Sequence, residues 1–541
     1  MPALLSADEI RAQIRVQQAE LLASINKRPQ IDIYDKNWES FIPLLTETQA
    51  KWLKKRNDTG EGNLVIFSTP DVRQALVDEL GEWEDLHVRV RTGYFEWTGK
   101  ASYVEEESDE EGFEFINIRF VHEFEHAKKA QVFCNPFFPA EFQYPKLWAL
   151  AAPTVWGLTA TFFLQMLRRF SLPWTFSDNL FDPSTWLSNM NPENWPIVVV
   201  PKQLLFDTSQ WSIVTSRMGN FYDMALPTMK DAGVTMLVYR WFPGMDQPAP
   251  DHYTLTKPTL VVDFVDDSGY VGPTGTLLDG IASFITHVAD DLINEVAEEV
   301  TYTESAEYSV GGFLGTTREN PWVFWRSAQT TDGISGLQNW KMRRYKATAS
   351  TVVTGGKSPD WVNAGLKLLL NAALGYLGQL IGNPGLALGI FDSQVEDVIL
   401  AFHRVHNPIR AQKMGLRGPP FGEVWESTGG TGFSLSALQA IRTGFYRSRA
   451  YTTFQVTCRA GAPYWPDGHF RIGNRNVCEI GRSGVLYTDH VETIGTEWDR
   501  DTDVLYQVGI GDQQVEDTPG AIISRQVAQI RSIIQAVGVT S

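Results

Sequence analysis

The chain has 541 residues, 43% of them hydrophobic and 20% charged, a globular composition with room for several domains and not a disordered one. The formal net charge is −18, and an acidic surface repels phosphate backbones, which argues against specific nucleic-acid binding. Three cysteines, Cys134, Cys458 and Cys478, cannot build a disulfide framework, form no C-x-x-C pair, and suit synthesis in a reducing cytoplasm.

The opening MPALLSADEIRAQ lacks the basic and apolar regions of a signal peptide. Ser6 with Glu9 makes a capping box, and Ile10, Ile14, Leu21 and Ile25 lie near one helical face, so residues 1–30 read as an amphipathic helix in need of a docking surface. Residues 31–135 read as strands: QIDIYD, then WLKKRNDTGEGNLVIF with a turn at Asn57-Asp58-Thr59-Gly60, then HVRVRTGYFEWTGKASYV with turns at Gly93 and Gly99. The stretch 105–111, EEESDEE, reads as a solvated acidic loop without the ligand spacing of a calcium loop.

Residues 122–126 spell HEFEH, the H-E-x-x-H string of zinc metalloproteases. That chemistry needs a helix, so that His122 and His126 face one metal while Glu123 activates its water. Here Ile118, Phe120 and His122 alternate with Arg119, Val121 and Glu123, a strand period. No third ligand stands in a recognisable context, and a strand end running into a short helix is the better reading.

After Pro145 the pattern is that of a core helix reaching Leu167, with Arg168 and Arg169 at its carbonyl end. Residues 195–265 alternate strand and helix: WPIVVVP a strand, WSIVTSRMGNFYDMALPTMKDAG an amphipathic helix stopped by Gly233, VTMLVYRWF and TLVVDFVDD strands. Gly272–Thr276 lacks the Gly-Lys-Ser/Thr ending of a phosphate loop and reads as a turn. Residues 302–360 are loop-rich with strand-like pieces, and 392–410 read as a helix.

Two uncharged runs, 147–167 and 368–391, reach membrane-span length but are diluted by Pro, Asn, Gln and Thr. Within 364–391, Leu366, Leu370 and Leu374, and Leu369, Leu377 and Ile381, recur at helical spacing beside two G-x-x-x-G patterns. A buried helical hairpin and a segment hidden in an assembly and released later both fit that close-packing pattern. The C-terminal part reads as a second β region: a strand through YTTFQVTCRAG, a hairpin turning at Arg482-Ser483-Gly484, the strand LYQVGIGD, and an amphipathic helix over 522–537.

Segments spread along the chain carry a resemblance. They are NDTGEGNLVIF, NPFFP, AAPTVWGLTATFFLQMLRRF, FDTSQW, DAGVTMLVYRWFPG, TLVVDFVDDSGYVGPTGTLLDG, GHFRIGNRNVCEIGRSGVLYTDHVETI and VGIGDQQVEDTPG. In this order they resemble the minor tail proteins, of the baseplate hub or tail-associated type, of long-tailed phages that infect actinobacteria. Ala152-Pro153, where Gly-Pro is expected, and RIGNRNV at 471–477, where Gly-Asp-Arg-Val is expected, depart from that pattern.

The resemblance implies an α+β, multidomain fold with two small β-barrel-like hub domains and α/β and helical insertions. The expected division is an N-terminal helix at 1–30, barrel-like domains at 31–135 and 411–541, an α/β domain at 136–265, and an insertion at 266–410 that carries the apolar segment. It implies a structural, non-enzymatic virion protein at the tail tip, made in the host cytoplasm and without cofactor: a homotrimeric hub joining the tail tube to the tip. Its partners would be the distal tail protein ring, the tape-measure protein and other minor tail proteins. DNA would pass through the channel without specific binding, and 364–391 would plug the lumen, contact the tape-measure protein or transiently meet the host membrane. The alternatives are a cell-wall zinc hydrolase using His122, Glu123 and His126, and a membrane-active protein using the apolar runs.

Overall fold

The computed structural model describes residues 29–171, 191–280, 317–355, 402–426 and 451–511, apart from short stretches inside these spans, with isolated positions outside them. Strands dominate. The N-terminal strands are β1 (Gln30–Tyr34), β2 (Phe41–Leu44), β3 (Glu47–Lys55), β4 (Glu61–Phe67), β5 (His87–Thr92), β6 (Phe95–Ser108) and β7 (Glu114–His122). A short helix, α1 (Phe124–Lys128), follows β7 directly. The acidic stretch at 105–111 is therefore partly strand: β6 carries it to Ser108 as an exposed ribbon paired with β7.

Gly99 lies inside β6 and makes no turn. The Trp97 ring covers it so closely that a Cβ there would come within 2.4 Å of the ring, so glycine serves a packing need that sequence alone reads as a break. Trp52 likewise lies over Gly62, its cross-strand partner, and Trp52, Trp97 and Phe120 pack as a tilted aromatic group with Trp52–Trp97 centroids 4.9 Å apart. Each such fully buried ring stabilises the fold by roughly 2–3 kcal/mol.

The middle of the chain forms an α/β layer. It contains β8 (Gln131–Val132), β9 (Trp148–Pro153), α2 (Thr154–Phe170), β10 (Ile197–Val199), β11 (Trp211–Ser216), β12 (Gly219–Asn220), α3 (Phe221–Ala232), β13 (Val234–Trp241) and β14 (Thr259–Asp266). Its three-stranded sheet has the order β10-β14-β13, parallel and then antiparallel. The apolar run at 147–167 is a strand followed by a core helix; among the described residues no helix is long and apolar enough to cross a membrane. Phe162 of α2, Phe221 of α3 and Phe264 of β14 meet at the centre, with Phe162–Phe221 centroids 5.0 Å apart.

The helix expected across 211–233 is halved. Ser212, Val214 and Ser216 are buried in alternation, and β11 pairs with β9. The β-branched pair Ile213–Val214 favours that strand, and the helix starts only at Phe221. It ends as expected at Gly233, whose φ is 67°.

Small strands β15 (Tyr270–Val271) and β16 (Thr317–Arg318) pair beyond β14, and β17 (Phe324–Trp325) leads to β18 (Leu337–Tyr345). A separate three-stranded sheet holds β19 (Thr351–Gly355), β20 (Phe402–His406) and β21 (Glu423–Glu426), with the short helix α4 (Pro408–Met414). Residues 402–406 are thus strand where a helix was expected, because β20 finds a partner in β19, distant in sequence. The last strands are β22 (Tyr451–Arg459), β23 (Arg475–Glu479), β24 (Leu486–Asp499) and β25 (Leu505–Ile510).

One thirteen-stranded sheet takes strands from both ends of the chain, in the order β18-β22-β25-β24-β3-β4-β7-β6-β5-β1-β2, with β17 and β23 attached beside β24. The seam is the antiparallel pair β3–β24, Thr493 opposite Lys55 through Asp499 opposite Gln49. The two β-rich regions share one core, in which Trp52, Trp97 and Phe120 pack in the same cluster as Val456, Trp465, Ile494 and Val508. Among the described residues no sheet closes on itself.

Candidate functional site at the junction of the layers

The turn between β3 and β4 leaves the large sheet and docks on the α/β layer. Asn57 adopts φ 48°, a left-handed conformation that asparagine tolerates better than most side chains. Its amide acts as a surrogate strand residue on β13, the edge of its sheet. The Nδ2 donates to the Val234 carbonyl at 2.9 Å, and Oδ1 accepts from the Met236 N–H at 2.8 Å. The Asn57 carbonyl accepts from the Tyr222 hydroxyl at 2.9 Å.

Arg56 beside it reaches three elements. It pairs with Glu492 of β24 at 2.9 Å and donates to the Thr235 hydroxyl at 3.2 Å and to the Gly233 carbonyl at 3.4 Å. Burial pushes the Glu492 carboxyl up, against the Arg56 charge and hydrogen bond.

The C-terminal half meets the same place from the other side. Asp267, just past β14, accepts two bonds from the Arg471 guanidinium, both at 2.9 Å, and one from Asn474 at 3.2 Å. Its carbonyl faces the His490 Nε2 at 3.0 Å. Gly473 has φ 88° and lies so close to Thr235 that a Cβ would come within 2.2 Å of its hydroxyl; no other residue fits there. Five resemblance segments, NDTG, DAGVT, VDDSGY, RIGNRN and DHVET, therefore converge at one junction.

The HEFEH segment forms a second joint. His122 closes β7 and accepts from the Phe124 N–H at 3.1 Å, and the helix α1 starts after Glu123. Glu123 is fully buried and is bound by the Arg240 guanidinium of β13, whose Nε lies 2.9 Å from one carboxylate oxygen and 3.0 Å from the other. Thr98 donates to it at 3.1 Å. Burial alone would raise its carboxyl; the Arg240 charge and hydrogen bonds outweigh burial and hold it below the ordinary carboxylate value. Arg240 also lies over the Trp38 ring at 4.4 Å, and Trp38 stacks on His87 at 4.6 Å. Burial lowers His122 to about 3 and His87 to about 4, so both stay neutral.

This geometry is not that of a metalloprotease. His122 ends a strand while His126 lies on a helical turn, and the Glu123 oxygens needed for a base are occupied by Arg240 and Thr98. Among the described residues no group of three or more His, Cys, Asp or Glu could hold a metal ion. Leu366, Leu369, Leu370, Leu374, Leu377 and Ile381 lie outside the described residues, as do the N-terminal and C-terminal helix expectations. Arg56, Arg240, Asp267, Arg471 and Glu492 escaped the sequence reading, since an isolated charge carries no spacing signal; Asn57 was singled out only as a turn residue.

Two ion pairs, Glu123 with Arg240 and Asp267 with Arg471, tie the large sheet and the strands around it to the α/β layer. The chain belongs to the family of Siphovirus ReqiPepy6 Gp37-like proteins, which matches residues 30–512. It is similar to minor tail protein Gp28 of Mycobacterium phage L5, 26% identical over 596 residues and 98% of both chains. Minor tail protein Gp28 of Mycobacterium phage D29 is 24% identical over 595 residues with the same coverage. Among solved structures, the tail protein from Neisseria meningitidis MC58 aligns over 92% of this chain and 99% of its own, at 10% identity and a TM-score of 0.39. The protein is a minor tail protein of the actinobacteriophage type, a structural component of the virion tail.

Proposed function

We propose that the protein is the homotrimeric hub of the tail tip, joining the tail tube to the tip and lining or plugging the DNA exit channel. The observation that carries this reading is the open thirteen-stranded sheet. Among the described residues the sheet runs from β2 at one margin to β18 at the other. The β18 margin is largely solvent-exposed, with Trp340 49% exposed. Exposed rings along the margin of a long sheet are an aggregation hazard that a neighbouring subunit removes. A ring of copies covers both margins at once, because a repeated contact closes when the rotation permits.

In this reading 31–135 and 411–541 are the two barrel-like units of each subunit, three subunits give a pseudo-sixfold ring, and the α/β layer at 136–265 braces both units. The distal tail protein ring, the tape-measure protein and other minor tail proteins are its neighbours. The acidic charge keeps passing DNA from sticking, and the segment 364–391 plugs the lumen, meets the tape-measure protein or touches the host membrane on ejection. A native mass spectrum of the purified protein tests this. A metal-free trimer is expected; a monomer carrying one zinc would overturn the reading in favour of a hydrolase.

A further inference from the structure

Charge is spread unevenly over the large sheet. Between Asp332 and Asp360 the sequence has no carboxylate, and Lys341, Arg343, Arg344 and Lys346 fall in that interval. Between Lys100 and Arg119 it has no cation, and residues 105–114 hold seven carboxylates.

The cationic stretch is β18, one margin of the sheet. Met342 lies opposite Phe454 of β22 and packs on the core, so strand alternation turns Lys341 outward. Lys341, Arg344 and Lys346 are exposed, and so is the Trp340 ring beside them. A cationic strand face with an exposed indole suits a carboxylate-rich protein surface that also brings an aromatic group.

The chain itself carries such a surface. Every residue of the β6–β7 ribbon from Ser102 to Glu114 is exposed. Its tip is fixed: the Asp109 Oδ1 accepts from the N–H of Glu111 at 3.0 Å and of Phe113 at 2.8 Å, and the Asp109 N–H donates to the Phe113 carbonyl at 3.0 Å. A ribbon ordered beforehand loses little freedom on docking. Glu106 meets Arg73 at 3.1 Å, and alternation turns Glu105 and Glu107 to the opposite face with Tyr103.

The two surfaces lie far apart in one chain. Strands β22, β25, β24, β3 and β4 stand between β18 and β7, a separation of about 30 Å measured along the sheet. A contact between them therefore joins two copies. Because the surfaces differ, the contact is head-to-tail, the kind that closes a ring of three; a self-complementary patch would give pairs.

We propose that β18 of one copy receives the β6–β7 ribbon of the next, with Lys341, Arg344 and Lys346 meeting the ribbon carboxylates around Trp340, Tyr103 and Phe113. This rests on the ring reading above and names the surfaces that close the ring.

The test is zero-length carbodiimide cross-linking of intact virions, which joins a lysine amine only to a carboxylate in contact with it. Peptides are then sequenced by mass spectrometry from the bands at two and three times the chain mass. Lys341 or Lys346 linked to Glu105, Glu107, Glu110 or Glu111 is expected. Lys341→Arg keeps the charge and the tails but loses its own link. Exposed pairs are individually weak, so the functional arm reverses two charges at once. Phage carrying Lys341→Glu with Arg344→Glu, or Glu105→Lys with Glu107→Lys, should fall at least about tenfold in titre, and all four changes together should restore it. Bands of two and three chain masses joined only through other residues, or β18 joined to a different tail protein, overturn this inference and leave the ring reading standing. A single copy per tail overturns both.

Discussion

Replacing Asn57 by alanine tests the junction at its narrowest point. The change removes the side-chain bonds to the Val234 carbonyl and the Met236 N–H. Both backbone groups belong to buried residues, and each orphaned group costs about 1–3 kcal/mol. Alanine at φ 48° adds about 1–2 kcal/mol of left-handed strain. The expected loss is therefore about 3–8 kcal/mol. Asn57→Gly loses the same two bonds but not the strain, and falls about 1 kcal/mol less. Urea unfolding followed by tryptophan fluorescence reads the effect, because Trp195 and Trp241 sit in the α/β core. A loss below about 1 kcal/mol for Asn57→Ala, or a glycine variant weaker than the alanine one, would refute the reasoning about a surrogate strand residue.

Other consequences concern the charged joints and the imidazoles. Glu123→Gln leaves Arg240 buried without its counter-charge and costs about 3–5 kcal/mol of stability in the same unfolding assay; a stability equal to the parent would count against the joint. Arg471→Gln strips Asp267 of its bidentate partner and costs roughly 2–4 kcal/mol, measured by the shift in urea midpoint. His87 at about 4 and His122 at about 3 lie below the unfolded value of 6.5. The unfolded chain then binds protons first as pH falls, so stability is full above pH 6.5. It declines below that by about 1.4 kcal/mol per pH unit for each imidazole, down to about 4 for His87 and 3 for His122. Urea midpoints across this range check the slope, and His87→Gln should reduce it; a flat profile would be the contrary result. Zinc analysis of the purified protein should give no stoichiometric metal, and a bound zinc lost in His122→Ala would reopen the hydrolase reading.

The legible parts of the sequence were those with local rules. The alternation through Ile118, Phe120 and His122 gave the strand and its end, and Gly233 gave the helix stop, because periodicity and φ preference act over a few residues. What escaped depended on distant partners. Gly99 reads as a turn until Trp97 covers it, Trp211–Ser216 reads as helix until β9 pairs with it, and Phe402–His406 reads as helix until β19 does. The junction was half-visible: its glycines and its Asn57 turn stood in the segments that carried the resemblance. Its ion pairs join positions as far apart as Arg56 and Glu492, and nothing local marks such partners.

The hub reading is tested most directly by a reconstruction of the intact virion's tail tip at a resolution that traces chains. The account predicts three copies of this protein in a closed ring around the channel axis, with β2 and β18 both covered by neighbouring chains. A single copy off the axis, or any copy number that leaves the ring open, would contradict it.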